Sequence, residues 1–179
     1  MISIFSFQPE LFNNNGDQGN IEVLTAELTK CGEEFKFVES FSTADFALIG
    51  DASRAVMKHF ALELEGLRPA ILKRFQSGQA TLLVGSAYEF FASDLGLGCN
   101  QIARRSEFVN GDYFGYRNTD RDLPAVTRNG AFFATSLFGP FLAKNPQVLI
   151  QVLSSLGVVA ELDSEKLNWI QKIREFSAG

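Results

Sequence analysis

The sequence predicts an α/β fold in which a mostly parallel sheet is covered by helices on both faces. Short apolar segments alternate with helical patterns along the chain, as they do in βαβ units. Two of these segments, at 46–49 and 80–84, are almost free of polar residues, which is typical of strands buried on both faces. The length of 179 residues suits one domain, so we expect residues 1–179 to form a single unit.

The first half of the chain supplies most of the predicted sheet. Residues 2–7 alternate at period two and predict a strand, and the Pro-, Asn-, Gly- and Asp-rich residues 8–17 predict a loop. A helical pattern follows Asp17, which we interpret as its N-terminal cap, and ends at Gly32. Further strands are predicted at 35–38, 46–49 and 80–84, and a helical pattern over 53–76 is expected to break or restart at Pro69.

The second half is predicted to be less regular. Residues 85–87 predict a tight turn into a helix, and residues 96–130, rich in Gly, Asn, Asp and Arg, predict a loop region. Only short strands are expected there, near 107–109 and 113–117. A strand at 131–136 and a break at 139–140 follow, then helices from Pro146 to about Leu156 and from 163–164 to Phe176.

The charge balance excludes some classes of partner. The chain has 16 Lys and Arg against 21 Asp and Glu, a formal net charge of −5. This balance argues against a general nucleic-acid binder and against an anionic membrane surface as partner. The first residues lack the basic region of a signal peptide, and no apolar run approaches the length of a membrane span.

The cysteines and the histidine limit the chemistry. Cys31 and Cys99 lack metal-ligand spacing, and His59 is the only histidine, so we expect no metal and no cofactor. Two cysteines do not form a disulfide framework, which favours a reducing, cytoplasmic location.

Polar residues follow two predicted parallel strands and mark a candidate site. Gly50 and Asp51 follow the strand at 46–49, and Ser86 follows Gly85 after the strand at 80–84. The carboxyl ends of parallel strands are where open α/β sheets bind ligands, and backbone amides at a helix start can cradle a small ligand. The predicted ligand-binding candidates are Gly50, Asp51, Ser86, Tyr88 and Glu89.

Three segments together resemble one family. They are FQPELFNNNGDQGN at 7–20, ATLLVGSAYEFF at 80–91 and SLFGPFLAKNP at 136–146. In this order they resemble class I glutamine amidotransferases of the cobyric acid synthase type, and among these the glutaminase subunit of lipid II isoglutaminyl synthase. The resemblance implies a flavodoxin-like three-layer sandwich. It also implies a cysteine that attacks glutamine, an activating histidine and an oxyanion site of backbone amides. The released ammonia is then used by a synthetase partner that resembles Mur ligases and amidates a cell-wall precursor.

The residues that carry this chemistry in the family are replaced. The position of the cysteine is Gly85, the position of the histidine is Phe138, and a glycine-rich loop of the family is Gly-Asp-Ala-Ser at 50–53. Since a nucleophile and its base act as a unit, we expect no glutaminase activity. The sequence favours a degenerate amidotransferase-like domain that serves as a structural or regulatory subunit of an amide-forming synthetase.

Other functions stay open at this point. A small-molecule binding module could reuse the pocket at Gly50, Ser86 and Tyr88, and a new enzyme could use Ser86, Glu89 or Asp51. Another chain could also supply the missing groups. The side chain at Phe138 either fills the former pocket or belongs to the core. The arginines at 104–105 and 117–121 either bind an anion or lie on a solvated loop.

Overall fold

The computed structural model describes residues 1–161 and 163–177. The strands are β1 (Ile2–Ser6), β2 (Phe35–Phe37), β3 (Phe46–Ile49), β4 (Thr81–Val84), β5 (Gln101–Asn110), β6 (Phe114–Arg121), β7 (Val126–Asn129) and β8 (Phe132–Thr135). The helices are α1 (Gly19–Lys30), α2 (Arg54–His59), α3 (Ala61–Ser77), α4 (Ser86–Phe91), α5 (Phe141–Lys144), α6 (Pro146–Ser155) and α7 (Ser164–Ser177).

Six strands form the central sheet, in the order β2-β1-β3-β4-β8-β7. The first five run parallel, and β7 pairs antiparallel with β8 at one edge. Counting only the parallel strands along the chain, their order is 2-1-3-4-5, which is the flavodoxin-like arrangement. The predicted α/β class with a mostly parallel, flavodoxin-like sheet is therefore confirmed.

Apolar side chains cover both faces of this sheet. Leu82 and Val84 of β4 join a core beneath α1, α5 and α6, whereas Leu83 joins a second core beneath α3 and α4. Because successive strand residues point to opposite faces, a strand with a core on each side must be apolar throughout. This explains the uninterrupted apolar segments and gives the three layers of the sandwich.

The predicted break at Pro69 is wrong in position. The chain turns at Phe60, between α2 and α3, and Pro69 lies inside α3. Phe60 is buried against Phe7 and Phe12, and this packing fixes the turn. Pro69 is exposed, so the helix carbonyl that loses its donor there can be hydrated, which removes part of the usual cost of proline.

The region predicted to be irregular contains a long hairpin. Strands β5 and β6 pair antiparallel as a separate two-stranded sheet, and β7 follows. The short strands expected near 107–109 and 113–117 lie at the turn end of this hairpin. Most of β5 is exposed on both faces, so the strand lacks the apolar alternation by which a sequence pattern is recognised.

Within the described residues, no helix combines the length and the apolar character that crossing a membrane requires.

Candidate functional site

The turn between β4 and α4 has the geometry of a nucleophile elbow. Gly85 adopts φ 56° and ψ −117°, a conformation that favours glycine. In enzymes that use this sharp strand-to-helix turn, the residue at its apex carries the nucleophile, and the next backbone amide helps to bind the oxyanion. The apex here has no side chain.

The carboxylate of Asp51 occupies the space in front of the apex. A β-carbon added to Gly85 would lie 2.5 Å from Asp51 Oδ1 and 2.9 Å from Asp51 Cβ. The same Oδ1 atom accepts a hydrogen bond of 2.8 Å from the Ser86 N–H. The amide that would serve an oxyanion is thus bound to a carboxylate of the same chain.

Two asparagines hold the other oxygen of this carboxylate. Asp51 Oδ2 accepts hydrogen bonds from Asn14 Nδ2 at 3.1 Å and Asn15 Nδ2 at 2.8 Å. The Asn14 N–H also donates to the Asp51 carbonyl at 3.1 Å. With both oxygens bonded, the Asp51 side chain is fixed in place by the loop between β1 and α1.

Ser86 and Gly50 join the loops beneath the elbow. The Ser86 hydroxyl oxygen accepts a hydrogen bond of 2.8 Å from the Ala52 N–H. A β-carbon on Gly50 would overlap the carbonyl oxygen of Phe12, so glycine is required there for close packing of two loops. Both candidate residues therefore support the loops, and neither lines the pocket described next.

An open pocket of about 360 Å³ lies beside the elbow, at the carboxyl ends of the parallel strands. Its wall joins the β1–α1 loop, the β3–α2 loop, helix α4 and the β5–β6 hairpin. Among the candidates, Asp51 and Glu89 line it, together with Phe138. Most pocket residues were not among the predicted ligand-binding candidates, namely Asn14, Asn15, Ala52, Ser53, Arg54, Asn118, Thr119 and Asp120, while Arg104 was noted only as an anion-binding alternative. The signals for them were the Asn-rich composition of the first loop and the resemblance, which singled out residues 50–53 as the counterpart of a glycine-rich loop.

Glu89 faces this pocket from α4. Its Oε1 accepts a hydrogen bond of 3.1 Å from the Thr119 hydroxyl, and Oε2 lies 3.7 Å from Arg121 Nε. Burial raises the pKa of Glu89, whereas the Thr119 bond and the Arg121 charge oppose the rise. Its contacts bind α4 to the hairpin.

Tyr88 points away from the pocket into the core. Its ring is fully buried, and its hydroxyl lies 2.6 Å from Thr127 Oγ1 on β7. Burial raises the pKa of the Tyr88 phenol. The structure therefore does not bring Tyr88 together with Asp51 and Glu89.

Phe138 stands where the resemblance places a histidine. The side chain is half-buried and forms one wall of the pocket. Its N–H donates to the Tyr116 carbonyl at 2.9 Å, and its carbonyl accepts from Lys144 Nζ at 2.7 Å. Phe138 therefore belongs to neither buried core and lines the pocket, which stays open.

Asp17 does not cap α1, which corrects the sequence prediction. Gln18 precedes the helix without a side-chain cap, and the Asp17 carboxylate accepts the Asp51 N–H at 3.0 Å. Asp17 is fully buried, and burial raises its pKa to about 6, although the bond from Asp51 opposes the rise. Its contact is with a loop 34 residues away, which a local cap motif does not reveal.

The rest of the Gly-Asp-Gln-Gly-Asn segment at 16–20 fastens a third loop. A β-carbon on Gly19 would lie 2.7 Å from Pro140 Cγ, and Asn20 Oδ1 accepts the Leu142 N–H at 2.8 Å. The segment therefore holds the three loops around the pocket in contact. Its role is architectural.

The other reactive side chains give no substitute nucleophile and base. Burial, reinforced by the charge of Glu89, raises the pKa of the Cys99 thiol, which disfavours the reactive thiolate. His59 lies on the exposed side of α2 against Phe60 and does not line the pocket. Among residues 1–161 and 163–177, no group of three or more metal-ligating side chains is arranged to hold a metal.

Comparisons with known proteins find similarity only among solved structures. No protein-family model and no curated protein matches the chain. A glutamine amidotransferase from Thermotoga maritima is similar with 12% identity and a TM-score of 0.49, over 97% of this chain and 95% of that one. The protein SMU.1228c is similar with 11% identity and a TM-score of 0.46, over 98% of this chain and 95% of that one.

Proposed function

We propose that this chain is a glutamine amidotransferase-like subunit without glutaminase activity. The observation that carries the proposal is the Asp51 carboxylate in front of Gly85, bonded to the Ser86 amide. Attack on a glutamine amide needs a nucleophile and free donors for the developing oxyanion. At this elbow the nucleophile is missing, and the donor already has a charged partner.

The proton-transfer group is missing as well. Phe138 stands at the histidine position, and its ring has no proton to exchange. The Ser86 hydroxyl is engaged with the Ala52 N–H, and a serine needs an adjacent base to become a nucleophile. The structure offers it no histidine, because His59 lies outside the pocket.

The proposal includes a partner, an amide-forming synthetase that resembles Mur ligases. It rests on the three segments that resemble the cobyric acid synthase type, and most closely the subunit that serves lipid II. In the structure, Gly19 and Asn20 join the first and third segments. Asp51 links the first segment to the elbow, because it bonds both Asp17 and the Ser86 N–H. Retention of this architecture after loss of the catalytic pair supports a structural or regulatory role. We place this role in the cytoplasm, in the amidation of a cell-wall precursor.

The test is purification of the complex from the native source, followed by reconstitution from two purified proteins. We expect an ATP-dependent synthetase to co-purify in a stoichiometric amount. Its amide formation should require this chain and should use added ammonium but not glutamine. A D51N variant should leave nitrogen-donor use unchanged. Glutamine-dependent product formation by the reconstituted pair would contradict the proposal.

A second candidate is a small-molecule binding module, favoured by the open polar pocket beside the elbow. Phe138 supplies an apolar wall, and Arg104 and Asn118 line the same pocket with polar groups. In this case, isothermal titration calorimetry of candidate ligands should find one that binds in the pocket. The F138W substitution should abolish this binding, because the larger indole ring fills the pocket. Unchanged affinity in F138W would exclude this pocket.

A further inference from the structure

The β5–β6 hairpin leaves one long strand edge open. β6 is the partner of β5, and the central sheet contains neither strand. Eight of the ten β5 residues are exposed and the other two are half-buried. An unpaired edge of this kind is a template for another strand, unless charges, bulges or proline blunt it. The register of β5 shifts between Gln101 and Arg105, so its regular open edge is 105–110.

The hydrogen bonds of β6 show which backbone groups of β5 face that edge. The Phe114 N–H and carbonyl bond the Asn145 side chain, and the Tyr116 carbonyl accepts the Phe138 N–H. These β6 residues therefore turn their backbone groups away from β5.

In an antiparallel pair, hydrogen-bonded and non-hydrogen-bonded residue pairs alternate. Asn110 and Phe108 lie opposite Phe114 and Tyr116, and Ser106 is next in the alternation, opposite Asn118. The backbone groups of Ser106, Phe108 and Asn110 must then point to the open edge. Within the described part of the chain, no hydrogen bond reaches these groups apart from any in the strand ladder itself.

The order of side chains along β5 is complementary to itself. In an antiparallel pair of two copies related by a two-fold axis at Ser106, Arg105 lies opposite Glu107 of the second copy, and this pairing occurs twice. Arg105 and Glu107 are each about half exposed, at 44% and 47%, although they pair with Asp122 and Arg117 within the chain. Their exposed parts can therefore also reach a second copy. Opposite charges in cross-strand pairs are stabilising.

The same register covers an exposed aromatic ring. Phe108 is 56% exposed, and the pairing of the two strands brings β5 of the second copy beside its ring. A two-fold axis one residue away, at Arg105, would instead place this arginine opposite itself, and like charges directly opposite are destabilising. Charge therefore favours the axis at Ser106 over the axis at Arg105.

We propose that two copies of this chain associate through β5, forming a four-stranded antiparallel sheet β6-β5-β5-β6 across the two-fold axis. Its centre is a reciprocal pair of hydrogen bonds between the Ser106 N–H and the Ser106 carbonyl of the two copies. The β6 edge is already covered by Asn145 and Phe138, so the assembly closes at two copies. The surface is small for an obligate dimer, so the association is expected to be concentration-dependent.

The first test is sedimentation equilibrium of the full chain from about 1 to about 200 µM, which spans weak interfaces. The wild type should pass from monomer to dimer. The S106P substitution removes the Ser106 N–H of each copy, and with it both hydrogen-bond donors at the centre of the interface. The hairpin should stay intact, because this N–H faces outward and proline is tolerated on such an edge. S106P should weaken association at least about tenfold, whereas S106A, which keeps the donor, should match the wild type.

A charge test fixes the register. R105E and E107R should each dimerise poorly alone, whereas an equal mixture should associate, since each then faces the opposite charge. Circular dichroism verifies folding, because E107R also loses the bond from Arg117 to Glu107. A wild type that stays monomeric throughout, or a dimer with equal affinity in S106P and S106A, would overturn the proposal.

Discussion

The side chain of Asp51 lies where the first side-chain atom of any other residue at position 85 would lie. Gly85 has a positive φ of 56°, so two separate constraints favour glycine. The backbone conformation is strained for other residues, and the space is already filled.

This pair predicts the effect of the smallest substitution at the elbow. Gly85→Ala should lower the free energy of unfolding by about 3 kcal/mol, from backbone strain and overpacking together. Urea unfolding of the wild type and the variant measures this loss of free energy. Gly111→Ala is the matched control, because a β-carbon there meets no atom within 4 Å, and its effect should stay below about 0.5 kcal/mol. An Asp51→Ala background should reduce the Gly85→Ala loss, and full additivity of the two substitutions would contradict the contact.

Asp17 predicts a pH dependence of stability. Its pKa rises from 3.8 to about 6 on folding, so between these values the folded state binds more protons than the unfolded state. Stability from this group is therefore full below about pH 4 and is lost as the pH rises through 6. The loss is about 2–3 kcal/mol.

The measurement is the difference between wild type and Asp17→Asn in urea unfolding from pH 4 to pH 7. Asparagine keeps an oxygen for the Asp51 N–H but does not titrate. The wild type should lose stability relative to the variant as the pH rises across this range. A difference that is independent of pH would show that Asp17 ionises normally in the folded protein.

Among the elements, α3 carries a buried arginine that bonds to the sheet. Arg74 is almost fully buried and donates to the Ala44 carbonyl at 2.7 Å, the Ala80 carbonyl at 2.5 Å and Thr81 Oγ1 at 2.7 Å. Burial lowers the pKa of Arg74 to about 10, so the guanidinium stays charged at neutral pH. It satisfies carbonyls at the starts of β3 and β4.

Arg74→Met should destabilise the protein by about 3 kcal/mol, because it leaves several buried acceptors without donors. The midpoint of urea unfolding measures this loss. Arg128→Met provides the control, since Arg128 is exposed on β7, and a change within about 0.5 kcal/mol is expected. Equal midpoints for the two variants would show that the Arg74 bonds add nothing to stability.

Elements with two apolar faces or a regular helical pattern are predictable from this sequence. The strands β3 and β4 and the helices α1 and α6 lie close to their predicted bounds. The sequence predicts strands that are shorter than those of the β5–β6 hairpin. Most side chains of β5 are exposed, so apolar and polar residues do not alternate along the strand. The helix break predicted at Pro69 is wrong in position. The actual turn, at Phe60, depends on packing against Phe7 and Phe12, which are remote in sequence.

At the site, the resemblance pointed to Gly85, which lies at the elbow, and to Phe138, which lines the pocket. The sequence did not reveal that the side chain of Asp51 lies in front of Gly85. The contacts of Asp51 with Ser86 and with Asn14 join segments about 35 residues apart. They depend on how three loops pack, which residue types and local spacing do not determine. For the same reason Asp17 resembled a helix cap.

For the whole molecule, the structure combines a flavodoxin-like sheet with an elbow whose front is occupied by Asp51. The loops after β1, β3 and β8, helix α4 and the β5–β6 hairpin surround one pocket beside this elbow. Under the function proposed above, Asp51 in front of the elbow and Phe138 at the expected histidine position would exclude glutamine hydrolysis. Replacing only the catalytic pair is therefore not expected to restore full activity, because the side chain of a cysteine at 85 would collide with Asp51.

Ammonia release from glutamine tests this central claim most directly. It is measured on wild type, on the G85C/F138H variant and on the same variant carrying D51G, each verified as folded by circular dichroism. We expect no ammonia release above the buffer background from the wild type and little from G85C/F138H. Any gain in ammonia release should appear only when D51G is added to that variant. Glutamine-dependent release by the wild type, or robust release by G85C/F138H with Asp51 in place, would contradict it.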